Sequence, residues 1–524
     1  MAYNRYFVIL ALAHFLICSF LLLNIFNNKT PTNSPIDYGI DEIRPIDDDI
    51  DEIRPIDDDI DEIHPGLFDD TNESSIVVQP NMGLSNKRKG EMTRKPKMKG
   101  NLTFKIVSPK ISKVIKLLPT TPIKNATKTG FTRTPIRPDE DAFEQWMSYA
   151  IEYCHGYIIS YANLFFELSL VVINPRFSHG NKGGEKIESV LNQSEQREYL
   201  TLEKRYFLIP CLNCTEISKD TYGKDDPKAR WINVIQCSNK TNDTSLTRFF
   251  DFAIALTRFE YANFYHTMTD WFNTFLMAKL FKRMKRNLTI LWIDAHPKGM
   301  LDETWKTLFG TIIQTSSLST PYIIKTMIWS INGYDSLLNQ HQLSVIPYIE
   351  EFRKFFLKSH GLDDSHKLNC DRVNILVILR HDYIAHPRNP KGKVARKLKN
   401  ENEILTNLSS FFPSVDVKGV QIDSYQMNKQ LELISKTDIL IGVHGAGLSH
   451  TLFLPKHAGI IEIYPLKVSL RKENFKAFAR WRKLTYMCWK NLEVENEEND
   501  FTYVPPNDLT DLVAKMLKTL RSKC

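Results

Sequence analysis

What this 524-residue sequence lacks narrows it more than its composition does. It has no G-x-G-x-x-G. The glycines of its one strand-to-helix glycine turn fall at Gly442, Gly445 and Gly447, and no Walker lysine follows them. That spacing argues against a dinucleotide fold and a P-loop. Cys211-Leu-Asn-Cys214 has no second C-x-x-C to complete a zinc site, and the close histidine pairs (His381 with His386, His444 with His450) lie far downstream. Ordinary disulfides are the better expectation. The net charge of +7, from 68 basic and 61 acidic residues, is small for this length, so nucleic-acid binding has little support. No Asp-x-Asp ends an apolar strand in the globular part. Asp139-Glu-Asp141 follows a Pro-containing linker instead.

What is present begins with an apolar run. Phe7 to Phe26 is twenty residues without a formal charge, the length that spans a bilayer as a helix. Arg5 and Lys29 flank it, and no small-x-small cleavage site closes it. An uncleaved signal anchor is therefore favoured over a cleaved signal peptide, with a cytosolic tail at 1–6 and the remainder in a lumen. Ten Asn-x-Ser/Thr sequons, Asn192 and Asn407 among them, agree with a luminal address. Of eight cysteines, Cys18 lies in the anchor; the seven others are odd in number, so at least one thiol is free or pairs with another chain.

Next comes a segment expected not to fold. "IDEIRPIDDD" occurs at 40–49 and 50–59 and decays to "IDEIHPGLFD" at 60–69. The Asp triplets lack the glycine turn and terminal Glu of an EF-hand loop. Their charge density and prolines predict a solvated, disordered stem over 27–138, acidic first and basic from Asn86 to Lys116. The folded head is expected from Asp139, in two parts, 139–365 and 366–524.

Three motifs in the head carry chemistry. In "TRFEYANFYHTMTDWFNTFLMAKLFKRM" the apolar spacing past Tyr261 is helical, and Asn263, His266 and Asp270 share one face. Singly, each has a structural reading, a cap or a satisfied core histidine; together they point to a site. "LTILWIDAHPKG" (288–299) reads as a buried strand that leaves Asp294 and His296 at its carboxyl end, where open α/β sheets bind ligands. "VNILVILRHDYIAHPRNPKGKV" is a strand ending at Arg380, then a loop bearing His381, His386, Arg388, Lys391 and Lys393, with a helix expected near Asn400. "IGVHGAGLSHTLFLP" repeats the strand–loop–helix pattern. Both halves predict a parallel sheet whose loops could clamp phosphate with cations and helix N–H groups.

"TRFEYANFYHTMTDWF", "RHDYIAHPRNPKGKV" and "IGVHGAGLSH", in that order and spacing, resemble glycosyltransferase family 61, in its branch that xylosylates the N-glycan core. The resemblance covers about Leu256 to Cys524. It implies an α/β fold of two facing Rossmann-like lobes (GT-B type) on a single-pass type II Golgi membrane protein. It implies inverting transfer of xylose from UDP-α-D-xylose, in β-1,2 linkage, to the core β-mannose of N-glycans on glycoproteins, with no metal and no nucleic-acid partner. His444, Gly445, Ala446 and Gly447 would bring backbone N–H groups to the UDP phosphates. Arg380 and Lys393 would supply positive charge in place of a metal ion. Glu462, after an apolar strand, would accept ribose hydroxyls. Asp270 or His266 would be the base, with Asn263 and Trp271 on the acceptor side. The alternatives are another family 61 transferase with a different donor or acceptor, or a tethered glycan-binding protein without activity. An NAD-dependent luminal oxidoreductase is a remote third.

Overall fold

The computed structural model describes residues 142–524, apart from 212–213, 215–216, 218–225, 239–247, 259 and 285–287. The apolar run 7–26, the acidic repeats and the stem 27–138 lie outside the described residues. Among the described residues no helix is long and apolar enough to cross a membrane.

Two sheets organise the head. The first is built from β1 (Ala150–Tyr153), β2 (Ile158–Tyr161), β3 (Phe165–Ile173), β6 (Arg248–Leu256), β7 (Leu288–Trp292), β8 (Gly310–Gln314) and β9 (Tyr322–Trp329) in the order β1-β2-β3-β9-β6-β7-β8. Two short strands, β4 (Phe207–Ile209) and β5 (Ile235–Cys237), extend it beside β3. Strands β6 to β9 run parallel, and β3 lies antiparallel to β9. The period of two along β6 sends Phe252, Ile254 and Leu256 into one core and Ala253 and Ala255 into another, so the sheet is covered on both faces.

The second sheet is wholly parallel: β10 (Val373–Ile378), β11 (Val415–Val420), β12 (Ile439–Val443), β13 (Gly459–Tyr464) and β14 (Thr485–Lys490), ordered β11-β10-β12-β13-β14. In chain order that is 2-1-3-4-5. The connections part company between β10 and β12, and the crevice outside the carboxyl ends of those two strands is where such sheets bind ligands. The sequence strands ending at Arg380 and His444 are these two, each ending one or two residues early.

One apolar core joins the two sheets. Leu376, Ile378, Leu440 and Ile460 of the second sheet enter the same cluster as Ile254, Ile290 and Ile328 of the first. At its centre runs α3 (Phe264–Leu280), which follows α1 (Ala142–Ser148) and α2 (Pro227–Asn233) among the described residues. Nearly all of α3 is buried, on every face, its polar residues Thr267, Thr269, Asp270, Asn273 and Thr274 included. It starts three residues later than the periodicity suggested, because Asn263 caps it: the Asn263 Oδ1 accepts from the backbone N–H groups of Tyr265 (2.9 Å) and His266 (3.4 Å).

The helical run Ala446–Phe453 after β12 is of 3-10 type. Its last carbonyls are met by two buried arginines. Arg353, on α5 (Ile349–Ser359, after α4, Asp302–Phe309), donates to Leu454 (3.1 Å) and Phe453 (3.4 Å). Arg482, on α8 (Asn474–Arg482, after α6, Glu401–Phe411, and α7, Met427–Ile434), donates to Leu452 (2.9 Å) and Leu454 (3.0 Å).

The C-x-x-C cysteines are divided between two bridges, Cys154–Cys214 and Cys211–Cys237, and Cys370 bonds Cys524 at the end of the last helix, α9 (Pro506–Arg521). Cys488 is the free thiol among the described residues. The Cys370–Cys524 bridge spans 154 residues and ties α9 to the loop before β10. Cys524→Ser is therefore expected to cost about 2–5 kcal/mol, read as a lower unfolding midpoint in denaturant without reductant. A midpoint equal to that of the wild type would show that the bridge contributes nothing.

Candidate functional site

A cleft of about 190 Å³ opens where the carboxyl ends of β10 and β12 face the start of α3. Its walls come mainly from four stretches: Asn263 and Phe264, the loop from Arg380 to Val394, the stretch 422–430 that runs into α7, with Asp423 and Tyr425, and Ala446, Gly447 and His450. Of the residues singled out in the sequence, Asn263, Arg380, His381, His386, Ala446, Gly447 and His450 meet here.

Arg380 is fixed by its surroundings. Its Nε donates to the Ala395 carbonyl (3.0 Å), and a Cβ on residue 445 would overlap its Nη1. Gly445 is thus glycine for space, since its φ of 161° is ordinary extended backbone. Gly447 likewise lies against Ile378, where a Cβ would come within 3.2 Å. Asp423 lies in the field of Arg380. Burial raises its carboxyl above the usual range, and hydrogen bonds from Gln421 and Tyr383, with the Arg380 charge, oppose that rise.

His450 was visible in the sequence only as one of a histidine pair. It is buried, stacked on Phe264 at 4.3 Å between ring centres, and its Nδ1 hydrogen-bonds the Gly447 carbonyl (2.8 Å). That bond requires the proton on Nδ1, which leaves a lone pair on Nε2. Nε2 has no hydrogen-bond partner among the described residues. Burial pushes the imidazole down to about 4, against the Gly447 hydrogen bond, so at neutral pH it is an uncharged acceptor.

The remaining wall holds an acid–base cluster. His386 lines the cleft, and its Nε2 lies 3.0 Å from Oε1 of the buried Glu260. Arg388 bridges Glu260 (3.6 Å) and Glu195 (2.8 Å) and lies 3.4 Å from His386 Nδ1. Burial alone would raise the Glu260 carboxyl. The His386 imidazole beside it, with Arg388 and His266, outweighs burial and holds Glu260 below the usual range, ionised.

Several expectations are corrected by position. Glu462 is fully buried, one oxygen on His444 Nδ1 (2.6 Å) and the other on the Tyr486 hydroxyl (2.8 Å), so neither faces the cleft. His444 is buried with it, stacked on Tyr464. This carboxylate–imidazole pair braces the turn from beneath. Trp271 is wholly buried against Phe356, Phe264 and Trp305 and offers no face to a sugar. Asp270 is buried beside Gly333, outside the cleft lining. Burial pushes its carboxyl well above the usual range, opposed by Arg258 and reinforced by Asp294. His266 is half-buried near Tyr334 and does not line the cleft. Lys393 turns outward to Asp500 (2.8 Å).

The basic loop is largely paired with carboxylates, most of them from other segments: His381 with Glu401, Lys397 with Asp382, Arg388 with Glu260 and Glu195. The carboxyl end of β7 is closed in the same manner. Arg258 holds Asp294 through two nitrogens (2.8 and 3.1 Å) and Asp302 through a third (2.9 Å), while lying over Trp292. His296 bonds Glu198 and the Arg258 carbonyl. Asp294 and His296 are therefore buried structure, not the floor of a ligand site.

Residues 264–461, which supply nearly all of the cleft, match the family described as Glycosyltransferase 61. Over 261 residues the chain is 28% identical to a β-1,2-xylosyltransferase of Oryza sativa subsp. japonica, covering 44% of this chain and 48% of that protein. A β-1,2-xylosyltransferase of Arabidopsis thaliana is 27% identical over 272 residues, with 44% and 50% covered. An EGF domain-specific O-linked N-acetylglucosamine transferase of Gallus gallus is 26% identical over 246 residues, with 44% and 42% covered. The chain spans about half the length of these relatives. The resemblance its three motifs carry, to glycosyltransferase family 61, therefore stands over the segment that builds the cleft.

Proposed function

We propose that this protein is an inverting glycosyltransferase that moves xylose from UDP-α-D-xylose to the core β-mannose of N-glycans in β-1,2 linkage. The observation that carries the reading is the corner where Arg380 lies on Gly445, at the switch point of a parallel sheet within the family-matched segment. Similarity to the plant β-1,2-xylosyltransferases supports xylose as the donor sugar and N-glycans as acceptors. The two sheets are read as the facing lobes of a GT-B arrangement, held on a Golgi membrane through the apolar run 7–26 with the head in the lumen. Three disulfides suit that oxidising compartment. A direct test is incubation with a panel of UDP-sugars and a defined N-glycan, read by mass. Gain of one pentose from UDP-xylose supports the reading. Gain of N-acetylhexosamine only would assign the donor named for the second group of relatives.

In this mechanism the pyrophosphate sits against Arg380 and the N–H groups that open the run from Ala446, which stabilise the charge of departing UDP. His450 Nε2 accepts a donor hydroxyl, the part first given to Glu462. The acceptor hydroxyl loses its proton to His386, and the Glu260 carboxylate stabilises the imidazolium that forms. The long Arg388 contact to His386 Nδ1 must give way as the proton arrives. Asp270 is set aside as base, because it is shut away from the cleft and its raised pKa favours the proton-bound acid.

Arg380→Ala is expected to weaken UDP-xylose binding by about 1.5–3 kcal/mol, measured by calorimetry on folded protein. Unchanged affinity would remove Arg380 from the phosphate site. Glu260→Gln should lower turnover by about 10²–10⁴-fold with UDP binding retained. Asp270→Asn, which mimics the protonated acid, should transfer within a few-fold of the wild type. The opposite pattern would return the base to α3. Transfer measured below the unfolding transition is expected to persist in EDTA; its loss, with recovery in Mn²⁺ or Mg²⁺, would mean that a metal ion handles the phosphates.

A further inference from the structure

At the amino ends of the second sheet, away from the cleft, three side chains converge. Asp438 immediately precedes β12 and is fully buried. Its Oδ2 accepts the backbone N–H of Asn374 at the head of β10 (2.7 Å), its own N–H donates to the Asn374 carbonyl, and its carbonyl accepts from Gly459 at the head of β13. The other oxygen, Oδ1, faces two imidazoles: His366 Nε2 at 2.9 Å and His457 Nε2 at 2.6 Å. The two rings lie 5.5 Å apart and are partly open to solvent, at 24% and 17% side-chain exposure. All three ligand atoms fall within 4.8 Å of one another.

We propose that Asp438, His366 and His457 form a divalent-cation site for zinc or a similar borderline metal, with a water as fourth ligand. Two imidazole nitrogens and one carboxylate oxygen are a common three-residue zinc set, at distances near 2.0–2.2 Å. Three donors about such an ion stand somewhat farther apart than these hydrogen-bonded contacts, so the rings must open by less than about 1 Å. The loops that carry them are exposed enough to allow it. Each neutral ring exchanges the Nε2 proton for one on Nδ1, so coordination changes the tautomer and releases no proton; a ring that is already imidazolium releases one. Asp438 cannot move far, since its second oxygen and its backbone are built into three strands. That fixed carboxylate makes the cluster a preformed half of a site.

The bound ion would staple the 366–372 loop, which carries Cys370, to the turn before β13. Five residues of β12 separate it from His444, so it lies at the opposite end of the strands from the sugar chemistry. Its part is to hold the sheet's amino edge.

The test uses the purified protein stripped with EDTA and titrated with Zn²⁺ and then Co²⁺. Expected are one zinc per chain by calorimetry and elemental analysis, a rise in melting temperature, and the visible bands of tetrahedral cobalt. His366→Ala and His457→Ala, both at partly exposed positions, should fold, lose the cobalt bands and weaken zinc binding at least tenfold. Failure of the wild type to bind zinc, or binding that survives in both variants, would overturn the proposal.

Discussion

A helical run placed in the interior leaves its final carbonyls without partners unless something donates to them. Ala446–Phe453 is such a run, and two buried guanidiniums meet that need: Arg353 from a helix of the first half and Arg482 from α8. Asp364 balances Arg353 and Glu350 balances Arg482, so neither charge is buried alone. Because Arg353 and the run come from different halves, this contact fixes how the first half meets the second, together with the shared core around α3. The other end of the run is set by what is missing: no side chain at 445, so that Arg380 can lie on the backbone. Cleft, turn and cation are consequences of one helical segment held at both ends.

Below the turn, Glu462 and His444 serve it from inside. The carboxylate divides its oxygens between an imidazole and a tyrosine, and burial together with Glu462 raises the Tyr486 hydroxyl far above its usual range. Residues that look like ligand contacts because they end strands can instead be the brace on which the contacts rest. The same holds across the first sheet, where Arg258, Asp294, Asp302, His296 and Glu198 satisfy one another in a closed buried network. The crevice at the carboxyl end of β7 is thus filled by its own charges.

The parallel second sheet was legible, because strand–loop–helix units with apolar runs of strand length announce themselves in the pattern around Arg380 and Gly445. The structure also brings those two positions together, with Arg380 lying on the backbone at Gly445. The stripe on α3 misled for a physical reason. In a helix buried on all sides a polar face marks internal satisfaction as readily as a site, and Asp270 and Trp271 are interior. Local pattern could not reveal the stretch 422–430, which forms a wall only because β11 returns beside β10. Nor could it pair His386 with Glu260 across more than a hundred residues, although both stood in motifs already marked. The loop cations were visible, while the carboxylates that neutralise most of them come from distant segments.

The central claim is that the donor's phosphates are gripped where Gly445 makes room for Arg380. Its most direct test is the UDP-dependent shift in melting temperature of Gly445→Ala beside the wild type. The added Cβ displaces only the end of a flexible side chain, so the variant should fold and melt near the wild type without ligand. A ligand that binds only the folded form stabilises it by RT ln(1 + L/Kd), where L is the free ligand concentration. The account predicts that UDP raises the melting temperature of the wild type and leaves that of Gly445→Ala nearly unmoved. An equal rise in both would contradict it and place the phosphates elsewhere.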